Sequence, residues 1–214
     1  MKLISDCFTE NVKYLTEASE TGAKNHYIEG IMLQADSANR NNRVYPGRVL
    51  EQATNRYIND LVKNNQGYGE LNHPPGPQIH LENVCILIKE LKQNKSDYYG
   101  KAIITNTPSG NIVKGLLESG ARLGVSSRGL GSLKPLKENL MEVQDDYRLV
   151  AIDVVADPSA PKAFVNGIME NVEYFYNENT GEFVEKMKKD VRNMTSRQLE
   201  EQKVKLFAQF LKSL

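Results

Sequence analysis

The stretch Gly124-Val125-Ser126-Ser127-Arg128-Gly129 decides how the rest of this 214-residue chain is read. Two adjacent serines lie between glycines, after a segment with helical features and at the start of one that reads as a strand. An arginine follows at once. Small neighbours let a substrate carbonyl come close, and donors beside the serine answer the charge that develops on the carbonyl oxygen, so the pattern suits a nucleophile. It is not the Gly-x-Ser-x-Gly elbow, because Arg128 stands where the second glycine would be. An ordinary turn uses the same residue types. The reading therefore depends on what else the chain offers.

The totals narrow the classes. Hydrophobic residues make up 40% and charged residues 25%, the proportions of a globular protein with one good core. Lysine plus arginine and aspartate plus glutamate number 27 each, so there is no basic excess of the kind that tracks nucleic acid. Cys7 and Cys85 lack metal-ligand spacing and read as reduced thiols of a cytosolic compartment. No apolar run is long enough to cross a bilayer, and the first residues lack a signal-peptide core.

Residues 1–25 are polar and mixed and are expected to form a mobile arm. The run 26–34 reads as a strand. Asn39-Arg40-Asn41-Asn42-Arg43 is a loop by composition, and Pro46 opens a helix to about residue 63. Its apolar face carries Val49, Leu50, Ala53, Tyr57, Ile58, Leu61 and Val62. Residues 83–93 and 97–105 form a predicted hairpin. A helix follows over 111–118 and ends at Gly120. A polar loop is expected from Lys134 to Asp145. Helices are expected over 185–190 and 196–214, the last with a stripe of Leu199, Val204, Leu206, Phe207, Phe210 and Leu211.

Two further residues complete a chemistry with Ser126. His73 precedes Pro74-Pro75, which pushes it into extended backbone and presets its side chain. The other histidines, His26 and His80, have nothing catalytic beside them in sequence. Asp153 sits inside the apolar run 147–156, on one face with Leu149, Ala151 and Val155. A buried carboxylate needs a partner. An imidazole would serve, as would a structural salt bridge or a backbone amide. Serine, histidine and acid together make a nucleophile, its base, and the group that orients the base. The chain order His, Ser, Asp matches none of the three common triad orders. A metal enzyme is disfavoured, since His73 with Asp145, Asp146 or Asp157 has no known ligand spacing.

Several stretches resemble the prohead core protein proteases of T-even-type tailed bacteriophages. They are Tyr27-Ile28-Glu29-Gly30-Ile31, Asn39-Arg40-Asn41 with Arg43-Val44-Tyr45-Pro46, Gly69-Glu70-Leu71-Asn72-His73-Pro74, Gly124 to Gly131, and Asp157-Pro158-Ser159-Ala160-Pro161. The resemblance spans roughly residues 26–170. It implies relation to the herpesvirus assembly protease, hence an α+β fold with a closed antiparallel β-barrel flanked by helices. It also implies a serine endopeptidase inside the immature head, within the host cytoplasm, acting on scaffold, core and major capsid proteins. No cofactor, metal, nucleic acid or membrane is implied, and a homo-oligomer stays open.

Carried over by position, the family's histidine falls on His73 and its nucleophile on Ser126. The herpesvirus relatives use a second histidine as third member; here Asp153 stands at about that place, with Asp157 as competitor. Arg128 and the amides of Ser127 and Arg128 are the oxyanion candidates. A glutamate-selective pocket would need a cation, and Arg40, Arg43, Arg122 and Arg128 are the arginines near motifs. The family's expected cleavage after Glu in Leu/Ile-x-Glu has matches at Glu17 and Glu170, with Leu116-Leu117-Glu118 set aside as helical. This divides the chain into an arm over 1–25, a protease domain over 26–170 and a helical tail over 171–214, with both ends removed from a self-processing zymogen. The contrasting reading is a non-enzymatic β-barrel core protein of the head, and a further one an esterase using the same residues.

Overall fold

A computed structural model describes residues 1–8, 13–18, 24–137, 139–156, 173–177 and 182–186. In chain order, the first strands are β1 (Lys2–Phe8), β2 (Lys13–Ala18), β3 (Lys24–Gln34) and β4 (Arg43–Val44). Helix α1 (Gly47–Tyr57) follows and widens into a π-turn over Ile58–Val62. Then come β5 (Tyr68–Glu70), a 3₁₀ turn over Leu81–Asn83, β6 (Val84–Asn94), β7 (Asp97–Ile104) and α2 (Pro108–Glu118). The remaining strands are β8 (Leu123–Gly131), β9 (Leu133–Lys137), β10 (Leu140–Val143), β11 (Arg148–Ala156), β12 (Glu173–Asn177) and β13 (Glu182–Lys186).

The strands form two five-stranded sheets, ordered β11-β8-β1-β12-β13 and β2-β3-β7-β6-β5, and a small sheet ordered β4-β10-β9. The architecture is α+β, mostly strand. Among the described residues the sheets end on open edges, so the expected closed barrel is not formed. Where the two large sheets meet, Leu71, the residue after β5, makes one isolated parallel bridge to Val154 of β11, and no ladder continues across it.

The core lies between the sheets and α1. The helix buries Val49, Leu50, Ala53, Thr54 and Tyr57, the spacing of one helical face. From the strands come Ile4, Ile28, Met32, Ile86, Ile88, Val125, Ile152 and Val154. The hairpin of β6 and β7 turns at Lys95, whose φ of 57° falls in the left-handed region. Thr107 caps α2 by accepting from the Gly110 amide, with Pro108 in the first turn.

Three sequence expectations are corrected. Residues 1–25 are not simply a mobile arm: β1 pairs with β8 along its length, Lys2 opposite Gly131 through Phe8 opposite Val125. Asp6 hid this strand by its polarity. It is fully buried, accepting from Tyr45 Oη and, at 2.7 Å, from Asn41 Nδ2, with Arg43 Nη1 at 3.3 Å. The expected polar loop after Gly131 is a hairpin of β9 and β10, with β9 largely exposed and without the strict apolar alternation that marks a half-buried strand. Glu185 and Lys186, expected in a helix, belong to β13. Asp157, Glu170 and the helix expected over 196–214 lie outside the described residues.

Candidate active site

The site forms where β5 leaves one sheet and meets β8 and β11 of the other. In β8 and β11, Ser126 is directly opposite Asp153, so the two side chains share a face. Histidine 73 arrives from β5, and the approach is tight. A Cβ on Gly69 would lie 2.1 Å from the Ile152 carbonyl oxygen, so only glycine allows this strand to come so near. The chain is then pinned by the Glu70 amide donating to Asp153 Oδ1 (3.0 Å) and the Asn72 amide donating to the Val154 carbonyl (2.8 Å). Asn72 turns the chain with a φ of 64°, a conformation asparagine tolerates better than most residues. His73 follows, directly before Pro74, which disfavours helical backbone at that residue.

The three side chains converge. His73 Nδ1 is 2.8 Å from Asp153 Oδ2, and His73 Nε2 is 2.5 Å from Ser126 Oγ. A carboxylate only accepts, so Nδ1 carries the proton and Nε2 is left to accept from the serine hydroxyl. The side chain of His73 is 9% exposed and Ser126 is 1% exposed. Burial pushes the Asp153 carboxyl up, but the His73 hydrogen bond and the Arg128 charge outweigh it and leave the group below the ordinary aspartate value. Asp153 is thus ionised although fully buried.

Arg128 does not face the serine. Its Nε donates to Asp153 Oδ2 (2.8 Å), Nη1 to the carbonyls of Gly76 (2.8 Å) and Gln78 (3.0 Å), and Nη2 to Glu70 Oε2 and to Asp153 Oδ1 (3.3 Å). All five N–H groups are engaged, so the guanidinium has none left for an oxyanion or a substrate carboxylate. Ser127 faces the opposite side of the sheet, its Oγ 3.4 Å from the Asp6 carbonyl. The amides of Ser127 and Arg128 lie in a strand flanked by β1 and β11, and the register of β11 shifts opposite Arg128. Arg43 is committed to Asp6 and the Ser5 carbonyl (3.2 Å).

Glu70 was missed by sequence reasoning. It is fully buried, bonded to Arg128, and its Oε1 accepts from the His80 amide (2.9 Å), with His80 Nδ1 at 3.3 Å. The signal was available: Arg128 is the lone charge in the strand Leu123–Gly131, and a buried guanidinium demands carboxylates. The thiol of Cys85 lies behind the site, where burial and the nearby Asp153 and Glu70 charges push it up to about 12. Among the described residues no group of His, Cys, Asp and Glu is arranged to hold a metal.

Residues 9–173 match the family model described as prohead core protein serine protease. The chain belongs to the prohead core protein protease family. It is 42% identical over 142 residues to the prohead core protein protease of Enterobacteria phage T4, covering 65% of this chain and 67% of that protein. Its fold is similar to the solved structure of the bacteriophage T4 capsid assembly protease, gp21. That match has a TM-score of 0.71 and 33% identity and covers 73% of this chain and 98% of the other. Membership in this family makes the chain a phage head protease by kind. The herpesvirus-type barrel expected alongside it finds no support in the sheet topology.

Proposed function

We propose that this member of the family is a serine endopeptidase in which Ser126 attacks the peptide carbonyl, His73 relays the proton, and Asp153 orients and charges the imidazole. The observation that carries this reading is the unbroken hydrogen-bonded line from Ser126 Oγ through His73 to Asp153, with contacts of 2.5 and 2.8 Å. In the first step the Nε2 lone pair takes the hydroxyl proton as Oγ bonds to the carbonyl carbon. The imidazolium then returns that proton to the leaving amine, and water repeats the sequence to release the acyl group. A non-enzymatic head protein has no reason to bury an ionised aspartate against a histidine and a serine drawn from different sheets.

The substrates proposed are the scaffold, core and major capsid proteins of the phage head, cut after Glu in Leu/Ile-x-Glu inside the prohead. The enzyme is made as a zymogen that also cuts itself. Two features support a form awaiting activation. Ser126 is almost wholly covered. Glu17, one self-cleavage candidate, sits in β2 paired to β3, with Lys101 Nζ 2.5 Å from its carboxylate. Cleavage there requires the end of β2 to peel from β3. Glu170 is the other proposed site. Incubation of wild type and Ser126→Ala with a peptide containing Ile-x-Glu, followed by mass spectrometry, tests the reading. Cleavage and terminal trimming by wild type alone are expected; equal processing by Ser126→Ala would refute it.

A further inference from the structure

We propose that Arg128 and Glu70 form a positioning pair for the relay, with the guanidinium aiming Asp153 at His73 and Glu70 restoring the negative charge that the guanidinium would otherwise cancel. The inference rests on the catalytic reading above. Its starting point is geometric. Each Asp153 oxygen accepts from Arg128 and from one further donor, His73 Nδ1 on Oδ2 and the Glu70 amide on Oδ1. The carboxylate is therefore held on four sides and cannot rotate away from the imidazole. The same guanidinium grips the carbonyls of Gly76 and Gln78, in the segment directly after His73. One side chain thus positions both the acid and the loop that carries the base.

Charge count explains Glu70. Arg128 with Asp153 alone would be a neutral pair, and a neutral pair does little for an imidazolium. Two buried carboxylates around one guanidinium leave one negative charge, and His73 is where the proton arrives during turnover. Low local dielectric makes that remaining charge effective. The other titratable groups facing the cluster are Tyr57 from α1, Cys85 from β6 and His80 beside Glu70. Tyr57 and Cys85 are neutral at physiological pH, since burial pushes both phenol and thiol up. His80 is the solvent-side end of the network, its side chain 40% exposed. The orienting role is one step removed from the reacting atoms, so Arg128 and Glu70 are positioning residues.

The test uses the full chain and a fluorophosphonate that phosphonylates an activated serine with loss of fluoride, with rate constants normalised to folded protein and measured against pH. The low-field proton resonance of His73 Nδ1–H is followed in parallel. Arg128→Lys keeps a charge but loses the fork. It should slow labelling on the order of 100-fold, weaken the low-field resonance, and move the acid limb upward, since Asp153 loses the Arg128 hydrogen bonds that help hold its carboxyl down. Glu70→Gln should slow labelling about tenfold without moving that limb upward. Wild-type rates and limb in both variants would overturn the proposal, as would full recovery of rate in Arg128→Met/Glu70→Gln. Failure of all three variants to fold would also overturn it, by making the cluster a fold-holding element only. If wild type is never labelled at Ser126, with or without prior incubation, the catalytic reading itself falls; labelled wild type with unmoved variants removes only the positioning role.

Discussion

Asp153→Asn is the sharpest single perturbation, because all four groups that contact this carboxylate are donors: His73 Nδ1–H, Arg128 Nε–H, Arg128 Nη2–H and the Glu70 amide. An asparagine must place its own N–H₂ against two of them whichever way it turns. If the amide faces His73, the imidazole can pair with it only by moving its proton to Nε2, where it can no longer take the proton from Ser126. If it faces the Glu70 amide, that N–H is orphaned. Breaking one partner of a buried ion pair costs about 3–5 kcal/mol, a large share of the roughly 5–15 kcal/mol that holds a domain together. The activity cost is larger, on the order of 10⁴-fold, as expected when a triad base is held in the wrong tautomer. Denaturant unfolding reads the first effect, and fluorophosphonate labelling per folded molecule reads the second. The sign of the pH dependence follows. The folded-state pKa of Asp153 lies below its unfolded value of 3.8. Its ionisation therefore stabilises the fold above that value, and the contribution is lost as pH falls through the folded pKa. Asp153→Asn should be most destabilised relative to wild type near neutrality, and the gap should narrow in acid. A labelling rate within tenfold of wild type would refute the triad assignment, and a gap that widens in acid would refute the ionised state of Asp153.

Other consequences are independent of that residue. Gly69→Ala sets a Cβ 2.1 Å from the Ile152 carbonyl and 2.6 Å from Ile86 Cγ1, so β5 must move off β11. Unfolding should show a loss of about 1–3 kcal/mol, with labelling of Ser126 falling further than stability does, because His73 travels with β5. Asp6 behaves oppositely to Asp153. Burial raises its pKa despite Arg43, Tyr45 and Asn41, so wild type should lose stability relative to Asp6→Asn as pH rises above 3.8, read as unfolding midpoints across pH. Cys85, with its thiol pushed up to about 12, should resist iodoacetamide at pH 8 in the native protein and react once unfolded.

Much of this protein is local and was legible from the chain. The apolar face of α1, the helix ending at Gly120, the hairpin turning between β6 and β7, and the Ser126 and His73 motifs all depend on neighbours within a few residues. Family resemblance placed the same histidine and serine. What local pattern could not show was β1, where a buried Asp6 broke the apolar signature, or β9 and β10, which bury little. Glu70 and the true direction of Arg128 were hidden for a related reason: a charged side chain in a strand says that a partner exists, but not on which strand it lies.

Residue order alone therefore determined which groups are chemically able to act, since nucleophile, base and acid are properties of side chains and their immediate backbone. Tertiary structure decided whether they meet. Ser126 and His73 are 53 positions apart, and His73 and Asp153 are 80 apart. They meet because Gly69 lets the edge of one sheet close on β11 of the other, a contact made by one bridge and a few hydrogen bonds. Such a meeting depends on non-local packing, in which each residue's place is set by atoms far along the chain.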